Sequence, residues 1–410
     1  MRDCSRLRLS QPERHELTMR ILRFLSIVLA TALVSVACVS DGGDVAREPG
    51  EPLPGLTEGE LGRFLLGKAV FDRLTTPEEG LGPLFNQDRC SSCHDLPTSG
   101  GSGVELVTKA TLWENGVCNL LVDEGGDNIQ QRATPLLAAH GITRESMPPS
   151  ADARVEVPGP ALFGLGLVEL IPDEEILSRE DPDDADGDGI SGRAGRTADG
   201  RLGRFSRKLE IATLFDFNET ALRFELGLTT PMNPTEETVN GVPIPADTDP
   251  MPDPEIDERG MNLLTDFVRF LAPSVRGNMA SAAVRDTVER GERLFEEIGC
   301  TSCHVPSMRA GPSDVAALDR KTVSLYSDML LHDLGPELGD VCGLNASPSE
   351  YRTALLLGLR FRTDYMHDDR ASSLRRAVLL HEGEAARTRD AFERLTGEEQ
   401  ESLLRFLSIL

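Results

Sequence analysis

Apolar residues recur at helical spacing in four stretches of the chain. Leu61, Phe64, Leu65 and Val70 share one face of a segment that opens with Thr57-x-x-Glu60. A threonine and a glutamate at that spacing can each satisfy the other's end of a first helical turn, so a helix is predicted from 57 to 71. A second is predicted over 283–298. Leucine- and phenylalanine-rich segments at 261–271 and 398–410 predict two more, the last opened by Thr396-x-x-Glu399. Between them the chain is rich in turn-forming residues. Residues 181–190 read as an acidic, glycine-rich turn and 244–259 as an exposed Pro/Asp/Glu loop.

The order helix, short cysteine motif, loops, closing helix occurs twice, once on each side of Pro273–Ala282. It predicts a mainly α chain of two similar units, 57–275 and 276–410. The first carries long irregular insertions, since His94 lies much further from its closing helix than His304 does from the second.

Composition narrows the function. With 42 Lys+Arg against 68 Asp+Glu the formal charge is −26, which speaks against nucleic acid as a partner, because a phosphate backbone must be met by positive surface. Aromatic residues make up 5%, with one Trp and three Tyr. The cores must then be aliphatic unless a bound group supplies a large flat apolar surface.

The N-terminal region carries an export pattern. After Met19-Arg20 an uncharged apolar run extends from Phe24 to Ala37, too short to span a bilayer comfortably. A positive start, an apolar run and small residues before a cysteine read as a secretory leader over 1–38, initiated at Met19. Ser35-Val36-Ala37-Cys38 resembles a lipoprotein cleavage box, with Ser35 where a leucine is usual. In that reading Cys38 becomes a lipid anchor; the alternative is an ordinary signal peptide with an incidental cysteine. Residues 39–56, rich in Gly, Pro, Asp and Glu, are expected to form a flexible tether. The protein is therefore expected to be exported, periplasmic and anchored to the membrane.

Of eight cysteines, four fall in two identical frames. Cys90-Ser-Ser-Cys93-His94 and Cys300-Thr-Ser-Cys303-His304 are both C-x-x-C-H, the attachment signature of a c-type haem. Two thiols at that spacing add across the vinyl groups of one porphyrin, and the adjacent imidazole sits beneath the iron. Zinc binding or a redox dithiol is the alternative for C-x-x-C alone. The histidine, the repetition and a Leu-Phe pair at the same distance before each motif (Leu84-Phe85 and Leu294-Phe295) favour two haem c groups. Cys118 and Cys342 remain, one in each half, and are read as a disulfide between halves or as two free buried thiols.

Asp184, Asp186 and Asp188 followed by Gly189 match the first half of a calcium-binding loop, in which alternating oxygens converge on a hard cation. The glutamate that would close such a loop is replaced by Gly195. Calcium and a solvated charged turn both fit.

The stretches LFNQDRCSSCHDLPTSGGSG (84–103), GPALFGLGLVELIP (159–172), DPDDADGDGISGR (181–193), LYSDMLLHDLGPELGD (325–340) and YMHDDRASSLRRAVLLHEGEA (365–385) carry a specific resemblance. From 57 to 410 the chain resembles the di-haem oxidoreductase family, whose members are described as peroxidases and sometimes labelled thiol oxidoreductases. More distantly it is similar to bacterial di-haem cytochrome c peroxidases and to the di-haem enzyme that matures methylamine dehydrogenase. The resemblance implies two cytochrome c-like domains with one covalent haem each. Tyr365-Met366-His367-Asp368 matches a motif that in those peroxidases is followed, one helix later, by the distal ligand of the electron-transfer haem. By that spacing the ligand falls on His381, which implies a second haem held by His304 and His381. His367 itself is expected to be a hydrogen-bonded loop residue. The resemblance also points to Glu169 as the acid–base group for peroxide cleavage.

For the first haem the sequence offers His332, His140, Met147 or Met329 as a sixth ligand, or an open position. Trp113, the only tryptophan, is expected in the core rather than in an electron relay. The function expected is an exported di-haem c-type oxidoreductase of the peroxidase kind. Its N-terminal haem would react with peroxide or another small oxidant, and its C-terminal haem would take electrons from a donor protein or small redox molecule. A non-enzymatic electron carrier with both haems six-coordinate is the alternative.

Overall fold

The computed structural model describes residues 45–410, which form one compact unit. The predicted leader and Cys38 lie outside them. Helices account for about 33% of the described residues, and no helix among these is long and apolar enough to cross a membrane.

The helical frame consists of two crossed pairs. Helix α1 (Glu58–Asp72) starts as anticipated: the Thr57 hydroxyl accepts from the Glu60 amide, and Glu60 accepts from the Thr57 amide at 2.7 Å. Its inward face differs from the expectation. Phe64, Gly67 and Phe71 are buried, while Leu61, Leu65 and Leu66 stand exposed at 37, 56 and 51%. The reason is close contact with the closing helix α4 (Glu258–Phe270). A β-carbon on Gly67 would lie 2.0 Å from the Leu263 carbonyl oxygen and 2.9 Å from Phe267 Cβ. Only glycine lets the two backbones approach this far, and the crossing decides which residues face in.

The second pair repeats the first. Helix α5 (Ala282–Glu297) crosses α7 (Gly397–Leu407), and a β-carbon on Gly291 would lie 2.0 Å from the Ser402 carbonyl oxygen and 2.8 Å from Phe406 Cβ. Four residues after each glycine comes a phenylalanine, which packs on the closing helix and on the motif histidine. Phe71 lies 4.8 Å from Phe267 and 6.1 Å from His94 between ring centroids. Phe295 lies 5.5 Å from Phe406 and 6.0 Å from His304. The true counterpart of Phe295 is thus Phe71. Leu84-Phe85, matched to Leu294-Phe295 by distance along the chain, forms instead a short strand paired with Arg132–Ala133.

The insertions of the first half are less irregular than expected. Strand β1 (Leu106–Glu114) pairs antiparallel with β2 (Val117–Asn119), β3 (Asn128–Ile129) and β4 (Ala153–Pro158) in a four-stranded sheet. Residues 165–169 and 214–226 form two further helices, α2 (Leu165–Glu169) and α3 (Leu214–Leu226). In the second half β5 (Leu331–Asp333) pairs with β6 (Glu350–Arg352). Cys118 and Cys342 form a disulfide with Cα atoms 5.7 Å apart, tying β2 to the loop before β6.

Two expectations about chain organisation need correction. Residues 45–56, assigned to the flexible tether, lie along the end of α4. The Arg47 amide donates to the Pro273 carbonyl and the Leu53 amide to the Phe270 carbonyl, and Val45 and Leu53 are buried. Apolar side chains at these two positions override the disorder-prone composition. The boundary at 275/276 also does not divide the packing: Met308, Leu318, Val323 and Leu330 join Leu167, Ile171 and Phe267 in the larger core, while Phe295, Phe392, Leu403 and Phe406 make the smaller one.

Candidate haem sites

Each C-x-x-C-H motif begins as a single 3₁₀ turn, Cys90–Ser92 and Cys300–Ser302, placed against the glycine–phenylalanine crossing just described. The four motif cysteines are unpaired while Cys118 and Cys342 are bonded. Burial pushes the thiols of Cys90, Cys93 and Cys300 up to about 12 and raises Cys303. A reactive redox dithiol is favoured by thiolates, which these surroundings disfavour. They leave neutral thiols beside a histidine.

The motif histidines are oriented alike. His94 Nδ1 lies 2.8 Å from the Pro160 carbonyl and His304 Nδ1 lies 2.8 Å from the Tyr326 carbonyl. A carbonyl only accepts, so Nδ1 carries the proton and Nε2 keeps its lone pair in both rings. Burial lowers the His94 pKa, opposed by the Gly101 and Pro160 carbonyls. It lowers His304 to about 4, against the Tyr326 carbonyl and with His381 nearby adding to the effect. Neutral imidazoles with Nε2 free are the form that binds iron, and the carbonyl partner is the outer-shell contact that fixes a ligand ring. The residues present therefore fit a haem at each motif.

His381 follows α6 (Leu374–Leu379) and repeats the same chemistry. Its Nδ1 lies 2.8 Å from the Ala377 carbonyl, and burial lowers its pKa. A charge on His381 would oppose the protonation of His304.

Other candidates are placed elsewhere. His332 lies at the second motif, not the first, and has no free nitrogen: Nε2 is 2.7 Å from Asp328 and Nδ1 2.7 Å from Glu384. Burial opposes its protonation, but Asp328, Cys303 and Glu384 together outweigh burial and push the pKa up to about 12. An imidazolium between two carboxylates cannot bind iron, so His332 is not a sixth ligand. Glu169 is also committed. Its Oε1 accepts from the Leu214 amide at 2.8 Å, at the start of α3, and its Oε2 from Arg269 at 3.0 Å. Through these two bonds Glu169 ties α2 to α3 and α4. His140 is exposed and pairs with Asp247. Met147 is exposed, whereas Met329 is wholly buried in the larger core.

His367 is hydrogen-bonded to Asp340 and stacks on Tyr351 with centroids 4.2 Å apart, in keeping with the loop role expected of it. Trp113 is not in the core. It stands opposite Cys118 in the sheet and half-exposed on the wall of a cleft of about 840 Å³ that Asp340, Asp368 and Arg370 also line. In the acidic turn the donor atoms of Asp181, Asp184 and Asp186 lie within 4.8 Å of one another. Asp188 is outside that group, and its Oδ1 accepts from the Ile190 amide. Asp181 takes its place, a residue that a linear loop pattern skips.

The family described as "Di-haem oxidoreductase, putative peroxidase" matches residues 151–410. The chain belongs to that family. Membership implies haem as the cofactor, and the match spans the second motif, His381 and the acidic turn. No curated protein matches the chain. Among solved structures it is similar to hydrazine synthase of Kuenenia stuttgartiensis, at 14% identity over 95% of this chain and 99% of that one, with a TM-score of 0.42. It is also similar to the diheme peroxidase BthA of Burkholderia thailandensis, at 14% identity over 87% and 86% with a TM-score of 0.40. A MauG-like protein associated with microbial copper homeostasis gives 16% identity over 60% and 87%, with a TM-score of 0.29. None of these likenesses carries a residue role to this di-haem oxidoreductase.

Proposed function

We propose that the protein is an exported di-haem c oxidoreductase of the peroxidase kind, built on two cytochrome c-like units. The observation that carries this reading is the repeat itself. A helix with Gly-x-x-x-Phe, a closing helix crossing at the glycine, a C-x-x-C-H turn and a histidine whose Nδ1 donates to a carbonyl occur twice. Haem c supplies one-electron chemistry and, where its sixth position is open, a place for a small oxidant. What this chain adds is asymmetry between the two places.

At the second, His304 and His381 both present neutral rings with Nε2 free, so it is read as bis-histidine and electron-transferring. A bis-histidine iron has a lower potential than a His/Met iron. At the first, His94 holds its ring through the Pro160 carbonyl, and the histidines expected to close the far side are engaged elsewhere. The first unit is accordingly assigned to peroxide or a related small oxidant, and the second to electrons from a donor protein or small redox molecule. Export and a lipid anchor at Cys38 are supported by the leader pattern over 1–38. A calcium ion at Asp181, Asp184 and Asp186 is part of the same reading, supported by the convergence of their oxygens.

The test is the count of covalent haems in protein from a host that assembles haem c. Wild type should carry two, and Cys90→Ala/Cys93→Ala and Cys300→Ala/Cys303→Ala one each. With both haems loaded, peroxide should be consumed at the expense of a reduced donor. Two haems surviving either double change would overturn the assignment of the motifs, and two haems without peroxide turnover would favour a simple electron carrier.

A further inference from the structure

The residue after Gly383 has one of the most heavily bonded side chains in the second half. Two donors meet each oxygen of the Glu384 carboxylate. Oε1 accepts from the Ser191 hydroxyl and the Asp333 amide, both at 3.0 Å. Oε2 accepts from the Ser191 amide at 3.0 Å and from His332 Nδ1 at 2.7 Å. None of these donors belongs to the segment that carries Glu384. Ser191 ends the acidic turn of the first half, and His332 and Asp333 belong to β5.

His332 extends the chain of contacts towards the second motif. Its other nitrogen meets Asp328, both side chains are almost wholly buried, and the Asp328 amide donates to the Cys303 carbonyl at 2.8 Å. His332 Nδ1 also lies 3.8 Å from Cys303 Sγ. Backbone packing reinforces the same joint. Gly383 has φ +56°, and a β-carbon there would lie 2.2 Å from the Asp333 carbonyl oxygen and 2.7 Å from the Gly335 amide. The loop that follows His381 is thus seated on the turn after β5 by close contact and clamped by one carboxylate.

We propose that Glu384, backed by the His332–Asp328 pair, is a positioning residue that holds His381 in place at the second haem. The inference rests on the bis-histidine reading of that haem and adds what keeps its distal ligand there. A histidine at the end of a helix of only six residues has little local restraint beyond its ring's bond to the Ala377 carbonyl and its amide's bond to the Val378 carbonyl. The loop that leaves it has four hydrogen bonds to a single charged group, and such bonds are worth more than neutral ones. Neither Glu384 nor Asp328 need touch the haem for this role.

The test uses the haem-loaded ferric protein and reads the spin state of the second haem by electron paramagnetic resonance. It also reads the rate at which added imidazole occupies that iron. His381→Ala should turn the second haem high-spin, with imidazole restoring the low-spin signal. Glu384→Gln replaces an acceptor oxygen by a donor and should give a mixture of high- and low-spin second haem at unchanged haem count. Imidazole entry should quicken on the order of tenfold or more, the scale of losing hydrogen bonds to a charged group. Ser191→Ala, a milder change, should move both readouts in the same direction by less, and it decides the matter should Glu384→Gln fail to fold. If His381→Ala converts the haem while Glu384→Gln and Ser191→Ala match wild type, the positioning role is wrong and the ligand stands. If His381→Ala itself changes nothing, the ligand assignment fails first.

Discussion

Two glycines of α1 should respond in opposite ways to the same substitution. Gly62 and Gly67 both lie inside the helix, but a β-carbon on Gly62 meets nothing within 4 Å, whereas on Gly67 it would overlap the Leu263 carbonyl oxygen at 2.0 Å. Alanine is favoured over glycine in a helix interior by about 1 kcal/mol. Gly62→Ala should therefore stabilise the protein by roughly that amount. Gly67→Ala gains the same helical preference but strikes backbone, which no change of side-chain rotamer relieves. Overpacking of this kind costs about 1–3 kcal/mol, and the upper end applies where main chain must move. The net effect should be about 2 kcal/mol of destabilisation, a gap of about 3 kcal/mol between the two variants. Guanidinium unfolding followed by far-ultraviolet circular dichroism measures the gap. Because Phe71 packs between Phe267 and His94, Gly67→Ala should also loosen the first haem site and lower the first haem's occupancy. Equal stability of the two variants would mean that α1 and α4 do not cross at Gly67, and the repeat on which the haem assignment rests would lose its clearest structural mark.

Further outcomes are expected elsewhere. Glu169→Ala should destabilise the protein by about 2–3 kcal/mol, through the loss of its bonds to Arg269 and the Leu214 amide; the rate of peroxide consumption per intact haem should be unchanged, and a large drop in that rate would return Glu169 to the catalytic machinery. Replacing Cys118 and Cys342 by serine opens a link between residues 224 apart in sequence; thermal unfolding should show a loss of about 2–5 kcal/mol, and reductant should reproduce it in wild type. Burial, with the neighbouring carboxylates of Glu255, Asp249 and Asp253 adding to it, raises Glu236 from 4.5 to about 9. A carboxyl whose folded pKa is raised favours the folded state fully below pH 4.5 and loses that contribution as pH climbs towards 9. Glu236→Gln should accordingly leave stability near pH 4 little changed and add about 1–2 kcal/mol at pH 8, a figure discounted for partial solvent exposure. A variant equally stable or less stable than wild type at pH 8 would contradict that sign.

The parts of the fold most legible in the sequence were those with short-range causes. The capping boxes at Thr57 and Thr396 marked two helix starts within a residue, and the C-x-x-C-H frames located both haem turns. His381 was reached through the spacing of the Tyr365–Asp368 motif, and its charge would bear on His304. What failed depended on contacts far apart in sequence. The inward face of α1 is set by a glycine fitting under a backbone carbonyl about 200 residues on, a contact no periodicity reports. A Gly-x-x-x-Phe search over the helices before the motifs would have found it, since GKAVF (67–71) and GERLF (291–295) share that frame. The surroundings of His332 and Glu169 were not legible because a lone polar residue does not announce its partners: Asp328, Glu384, Arg269 and the Leu214 amide come from other parts of the chain. The four-stranded sheet was hidden because two of its strands have only three and two residues and the long one, Leu106–Glu114, does not alternate cleanly between buried and exposed positions.

Electron paramagnetic resonance of the purified, haem-loaded protein, fully oxidised and half-reduced, before and after hydrogen peroxide, bears most directly on the claim of two unequal haems. One low-spin signal that peroxide leaves intact in wild type and that disappears in His381→Ala is expected, together with a second ferric signal that peroxide changes in at least one of the two states. Two low-spin signals indifferent to peroxide in both states would contradict it and make the protein an electron carrier.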